Sequence, residues 1–334
     1  MNSFTYYAPT RVEFGLGAES KAGQLAKEYG ATKVLVHFGG ESAVRSGLID
    51  RVCASLDEAG LFHVELGGVV PNPRLSLVHK GVELARAEGV DFVLAVGGGS
   101  VIDSSKSIAY GIANEGDPWD FNIGLRKPTG CAPVGVVLTI AAAGSEMSSS
   151  CVITNEETNV KKGCNSDFCR PKFAIMNPEL TLSLPWYQTA CGCVDIMMHT
   201  MERYFTPNAT MQITDEIAEG LLRTVFENAL ILRDNPDDID ARAEVMWAGS
   251  LAHNGLTDCG NGGSDFASHA LEHELSAAYD VTHGAGLAAI WPSWARYVMD
   301  GCLDRFVQFA LNVVGVDPEE YETAEEIAHA GIEG

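Results

Sequence analysis

Residues 91–106 read DFVLAVGGGSVIDSSK. The first six are apolar apart from Asp91 and rich in β-branched or aromatic side chains, the composition of a strand buried on both faces. Gly97, Gly98 and Gly99 then end the strand, and Val101, Ile102 and Lys106 open a helical pattern. Such a strand–glycine turn–helix unit is the start of a parallel-sheet crossover. It also makes a natural anion site, because glycines let a phosphate approach the backbone and the leading N–H groups of a helix favour negative charge. The spacing is not the G-x-G-x-x-G dinucleotide fingerprint. A plain tight turn, with Ser100 and Asp103 as a variant capping box, accounts for the same residues.

Working outward, residues 33–38 (KVLVHF), 61–66 and 134–138 read as further strands. Leu48, Val52 and Leu56, and then Leu75, Val78, Val82 and Ala85, follow helix spacing between them. This alternation predicts a parallel sheet with helices on its faces. Gly39-Gly40-Glu41-Ser42 repeats the strand-to-glycine pattern and is a second, weaker phosphate candidate. Near Leu184-Pro185 the character changes. Residues 187–205, 212–234, 239–256, 266–280 and 303–314 read as helices, and so do 286–299, where Pro292 should kink or restart the helix. Thr206-Pro207-Asn208, Asn235-Pro236 and Asn261-Gly262-Gly263 break them apart. The expected organisation is an α/β domain over 1–184 and an all-helical domain over 185–334. At the end, Asp317 as N-cap and Pro318 at the first helical position predict a helix to about residue 330, with Ile327 and Ile332 still needing a partner surface. This suggests a C-terminally incomplete chain.

The composition excludes several functions. A net charge of −23 would repel nucleic acid and anionic membrane. No basic-then-apolar leader opens the chain, and no apolar run approaches the roughly 20 residues of a membrane span. Nine cysteines without a C-x-x-C pair are free thiols of a reducing cytoplasm. Any phosphate-bearing ligand must therefore be held by local backbone donors and a few placed cations.

The helical half carries a metal-type constellation. Asp195 and His199 are four apart on a predicted helix, about 40° apart around its axis, with Glu202 a turn further along the same face. His269 and His273 repeat the spacing on another helix, and His283 follows after a bend. A carboxylate with imidazoles suits a catalytic divalent ion. Ordinary polar helix faces would use the same residues, and spacing alone leaves open which of His269, His273 and His283 bind.

With these motifs in hand, the chain resembles the iron-containing (group III) alcohol dehydrogenase family, in particular its butanol dehydrogenase and NADPH-dependent aldehyde reductase branch. The resemblance runs from Phe4 to about Val314. It rests on Pro71-Asn72-Pro73-Arg74, Gly97-Gly98-Gly99-Ser100 with Asp103 and Lys106, Gly144-Ser145-Glu146, Gly192-x-x-Asp195-x-x-x-His199, and His269-x-x-x-His273 with His283. It implies a Rossmann-like domain followed by a helical domain, in a dehydroquinate synthase-like architecture. It also implies hydride transfer between NAD(P)(H) and a small primary alcohol or aldehyde.

Asp195, His199, His269 and His283 would hold Fe2+ or Zn2+, with His273 beside them as a proton relay or as an orienter of His269. Gly97, Gly98, Gly99 and Ser100 would hold the diphosphate. Asn72, Asp103 and Thr139 would line the cofactor, Lys161 or its neighbour Lys162 would reach it, and Gly39, Gly40 and Ser42 would lie around the adenine ribose. A homodimer is expected. Two departures bear on the cofactor. Ala141-Ala142-Ala143 replaces a Pro-Ala-Thr, removing a hydroxyl, and Glu41 replaces a glycine where a carboxylate would repel a 2′-phosphate. A metallo-lyase of the dehydroquinate-synthase type is the rival reading, but it needs several basic residues near the ligands and only Arg203 is close.

Overall fold

A computed structural model describes residues 1–206 and 211–334, the side chain of Glu41 excepted. Of the proposed breaker Thr206-Pro207-Asn208, Pro207 and Asn208 lie outside the described residues. The chain forms two compact units, Ala8–Leu184 and Pro185–Gly334 together with Met1–Tyr7.

The first unit runs β1 (Arg11–Phe14), α1 (Ala22–Glu28), β2 (Lys33–Phe38), α2 (Glu41–Arg45), α3 (Leu48–Glu58), β3 (Phe62–Leu66), α4 (Leu75–Glu88), β4 (Phe92–Gly97), α5 (Gly99–Ala113), α6 (Trp119–Asn122), β5 (Val134–Leu138), β6 (Ser150–Asn155), β7 (Val160–Asn165) and β8 (Phe173–Met176). Six strands make one sheet in the order β1-β8-β5-β4-β2-β3, and every pairing in it is parallel. β4 and β5 are buried along their whole length, as a sheet covered on both faces requires. One face packs Leu25 of α1 and Val52 and Leu56 of α3 against Val34, Val36 and Leu94. The other packs Val78 and Val82 of α4 and Ile108 of α5 against Leu35 and Val93. β6 and β7 form a separate antiparallel hairpin.

Chain order reverses between β2 and β4. β3 lies on one side of β2, whereas β4 and β5 continue on the other. The Gly39-Gly40 and Gly97–Gly99 turns follow these two neighbouring strands, so both lie at the carboxyl edge of the sheet at its switch point. That is the place where open α/β sheets bind ligands.

The second unit contains α7 (Trp186–Tyr204), α8 (Gln212–Asp234), α9 (Ile239–His253), α10 (Ala267–Tyr279), α11 (His283–Val298), α12 (Leu303–Phe309) and α13 (Ala324–Glu333). Its core joins Met198, Leu222, Leu287, Phe306 and Phe309. Among the described residues no helix is long and apolar enough to cross a membrane.

Three local expectations are corrected. Of the kink or restart expected at Pro292, the restart does not occur: α11 runs through it as one helix. The carbonyl that loses its partner belongs to Ala288, which is exposed, so water can satisfy it. The helix expected from Pro318 is only a 3-10 turn, Pro318–Glu320. α13 starts afresh at a Thr323/Glu326 capping box, and its Ala328 and Ile332 already pack in the helical core. Ser100 and Asp103 form no capping box: α5 starts at Gly98 with no side-chain cap.

Candidate metal centre and glycine turns

α7 places Asp195 and His199 one turn apart on its buried face, as their spacing requires. α10 is bracketed by left-handed residues, Phe266 (φ 50°) and Asp280 (φ 54°), which turn the chain sharply at both ends. The second bend brings His283 to the first position of α11. Gly284 makes that approach possible. A Cβ there would lie 2.0 Å from the carbonyl oxygen of Cys191, so the start of α11 rests directly on the backbone of α7.

Three imidazoles converge on one oxygen. Asp195 Oδ1 lies 3.0 Å from His199 Nδ1, 3.8 Å from His269 Nε2 and 3.7 Å from His283 Nε2. Asp195 Oδ1 and His269 Nε2 are both buried and have no hydrogen-bond partner. Orphaned atoms of this kind are rare in folded proteins, and a cation between them would satisfy both. The donor set of one carboxylate and three imidazoles also suits Fe2+ or Zn2+. The residues present therefore fit the ion. Side-chain exposure is 5–7% for Asp195, His199 and His269 but 25% for His283, so the cluster opens to solvent on the His283 side.

The charges behave as a cation site should. Burial opposes ionisation of Asp195, but the imidazoles gathered around it, His199 foremost, outweigh it and hold the carboxyl well below its ordinary range. Burial pushes His199 down to about 4, so the ring is neutral and carries a lone pair. Burial also works against the charged form of His269, and there Asp195 and Glu202 prevail and raise it. His273 lies beside the cluster, half-buried, with its ring 5.9 Å from that of His283. It forms a second group with Glu272 and His283, and His283 Nε2, 3.7 Å from Asp195 Oδ1, joins the two groups.

On the first unit, the α5 turn is built for close approach. A Cβ on Gly98 would meet Ile140 at 3.0 Å and one on Gly99 would meet Ala143 at 3.2 Å. With no side-chain cap at Gly98, the leading N–H groups of a 15-residue helix keep no side-chain acceptor. Such a helix start is suited to an anion. Thr139 stands next to it, donating its N–H to the Gly97 carbonyl at 3.1 Å. Asn72, in the left-handed region at φ 55°, accepts from Lys161 Nζ at 2.9 Å, and both residues are buried. Lys162 is exposed, so of the two lysines Lys161 is the one directed inward. Gly39 and Gly40 lie between β2 and α2, with Ser42 exposed on α2.

Asp103 is held in place by groups of the chain itself. Its Oδ1 accepts from Ser145 Oγ at 2.6 Å and its Oδ2 from Val152 N at 2.9 Å. Fully buried Lys106 donates to the carbonyls of Ser145, Ser148 and Ser150. These two side chains lock α5 to the segment leading into β6.

Two family models match the chain: iron-containing alcohol dehydrogenase over residues 9–178, and the C-terminal model of the same family over 189–333. The chain belongs to the iron-containing alcohol dehydrogenase family. It is 46% identical to NADH-dependent butanol dehydrogenase A of Clostridium acetobutylicum, covering 98% of this chain and 84% of that one. It is 37% identical to NADPH-dependent aldehyde reductase YqhD of Escherichia coli, covering 97% and 84%. A crystal structure of NADH-dependent butanol dehydrogenase A from Thermotoga maritima superposes with a TM-score of 0.97 at 43% identity, over 100% of this chain and 82% of that one.

Within this iron-containing alcohol dehydrogenase chain, two carboxylates act that sequence reasoning did not assign to ligands. Glu202 Oε1 accepts from both the backbone N–H and Nδ1 of His269 at 3.0 Å. Glu272, buried on α10, accepts from His283 Nδ1 and from Ser276 Oγ. Each takes the Nδ1–H of its imidazole, so that in the neutral ring the lone pair lies on Nε2, toward Asp195. The i, i+7 spacing of Asp195 and Glu202 was a signal that Glu202 shares the ligand face. Nothing in the sequence paired Glu272 with His283. Arg203, the cation nearest the ligands in sequence, binds Asp258, the His199 and Ala252 carbonyls and His253.

Proposed function

We propose that this protein is a metal-dependent alcohol dehydrogenase and aldehyde reductase that transfers a hydride between NAD(P)(H) and a small primary alcohol or aldehyde. The observation that carries this reading is the convergence of His199, His269 and His283 on Asp195 Oδ1, with two buried ligand atoms left without partners. When bound, a divalent ion supplies Lewis-acid activation of an alcohol or carbonyl oxygen, and nicotinamide supplies or accepts the hydride.

The chain's own residues divide the remaining work. Asp195 supplies the negative charge that retains a cation, and Glu202 and Glu272 hold two of the rings in position. The more exposed flank at His283 and His273 is the side on which substrate enters. His273 is the proton relay, since imidazole titrates near neutral pH and this ring stands beside His283. Gly97, Gly98, Gly99 and Ser100 bind the diphosphate through backbone N–H groups, beside Thr139, and the Asn72–Lys161 pair presents the placed cation. Gly39, Gly40 and Ser42 flank the ribose.

A lyase acting on a phosphorylated, carboxylated substrate is less well supported, because the guanidinium of Arg203 is already engaged by protein groups. All nine cysteines are free, which supports a reducing, cytoplasmic setting. A homodimer belongs to the same reading and is tested by sedimentation.

The decisive assay follows oxidation of NADH and NADPH by butyraldehyde, with and without chelator. His283→Ala should abolish turnover while leaving dinucleotide binding nearly unchanged. Full activity in that variant, or in chelator-treated protein, would remove the ion from the reaction.

A further inference from the structure

A second group of ligand-type side chains lies on the sheet unit, on the opposite sequence half from the Asp195 cluster. Cys53 and Asp57 are four apart on α3 and so share a face. His63 and Glu65 are two apart on β3 and so point to one side of the strand. Val64 and Leu66, the residues alternating with them, pack in the apolar core on the other face. β3 is an edge strand, so its His63/Glu65 side meets α3 without a further strand to cover it.

The ligand atoms of Cys53, His63 and Glu65 all lie within 4.8 Å of one another. His63 Nε2 is 3.3 Å from Asp57 Oδ1. A carboxylate can only accept, so a neutral ring that faces Asp57 with Nε2–H has its lone pair on Nδ1. That Nδ1 is buried and has no hydrogen-bond partner. Burial, together with the charges of Glu65, Asp57 and Asp50, pushes the Cys53 thiol up to about 11. A site this unfavourable to a further anion is favourable to a cation.

We propose that Cys53, His63 and Glu65 form a second metal site, for a borderline-soft divalent ion of the Zn2+ class, with Asp57 orienting the imidazole. One sulfur, one nitrogen and one oxygen leave a fourth tetrahedral position for water. The thiol and imidazole disfavour Mg2+ and Ca2+, which take oxygen ligands. Binding displaces the Cys53 proton to solvent, so thiolate, carboxylate, neutral imidazole and divalent ion sum to no net charge. The Asp57–His63–metal arrangement repeats the carboxylate–imidazole logic of Glu202 and His269. An occupied site would clip the edge strand β3 to α3.

Co2+ is the probe, because a thiolate ligand gives a near-ultraviolet charge-transfer band that the all-N/O Asp195 cluster cannot produce. The full reduced chain is titrated anaerobically to two equivalents. The thiolate band should develop with one equivalent, persist in His269→Ala, vanish in Cys53→Ser and need at least ten-fold more Co2+ in His63→Ala. X-ray absorption at the cobalt edge of the unmutated chain should find sulfur in the ligand shell, independently of how the variants fold. No band and no sulfur scattering, or a band retained in Cys53→Ser or unweakened in His63→Ala, would overturn the proposal. His63 and Glu65 would then be a polar edge that only deters strand pairing.

Discussion

A carboxylate that touches no ion can still decide whether the ion binds. Glu202 holds His269 through one oxygen while its other oxygen is buried without a partner. The negative charge makes His269 Nε2 a better donor and keeps the ring from rotating. Glu202→Gln preserves shape and one acceptor but removes that charge. Metal affinity, read by competition against a chromogenic chelator, should fall about 10–100-fold. An unchanged affinity would mean that helix packing alone sets the ring. The limits of sequence reading are clearest here. Asp195 and His199 were legible because i, i+4 spacing puts two donors on one helix face. Glu272 was not, since a glutamate on an amphipathic helix is ordinarily solvated, and only the bend at Asp280 and the glycine contact of Gly284 with α7 bring it to His283.

Among the elements, α5 carries the glycine turn at one end and a buried hydrogen-bond network in its middle. Lys106 is completely buried and its ammonium satisfies three carbonyls of the segment 145–150. Lys106→Met would leave those buried carbonyls without their donor, at a cost of about 1–3 kcal/mol. Urea unfolding should show a matching drop in midpoint, and no drop would mean that the network relaxes around water.

β2 offers a pH-dependent counterpart. His37 is buried between the Leu66 carbonyl and Ser104 Oγ, at 2.7 and 2.8 Å, and burial pushes it down to about 4 from an ordinary 6.5. The unfolded chain therefore binds the extra proton between these values and the folded one does not. Stability is fully present above about pH 6.5 and is lost as pH falls toward 4, by about 3 kcal/mol from this residue. His37→Asn should flatten that part of the stability–pH curve, and an unaltered slope would assign it elsewhere.

Of the strands legible in the sequence, β2, β4 and β5 are largely apolar runs, and β3 shows itself through the alternation of Phe62, Val64 and Leu66. β1 (RVEF) was not legible, because an edge strand with alternating polar residues has too little apolar signal in four positions. The β6–β7 hairpin is similarly polar, and its turn at Asn159 (φ 52°) lacks the glycine that would have announced it.

At the scale of the whole chain, a net charge of −23 repels an anionic ligand wherever local donors and cations do not override the field. It retains cations readily, and the Asp195 cluster adds a geometry that few surface carboxylates share. Domain-level alternation of strand and helix was readable because buried parallel strands and amphipathic helices have different periods. The meeting of residues 195, 199, 269 and 283 was not readable from spacing alone, since α8 and α9 separate the first pair from His269 and a left-handed bend separates His269 from His283. The most direct measurement is an anomalous-difference map from crystals of anaerobically iron-loaded protein, collected above and below the iron edge. A single strong iron peak should lie within coordination distance, about 2.0–2.2 Å, of Asp195, His199, His269 and His283. The absence of iron there, with the four side chains hydrogen-bonded to one another or to water instead, would contradict the assignment of this cluster as the catalytic metal centre.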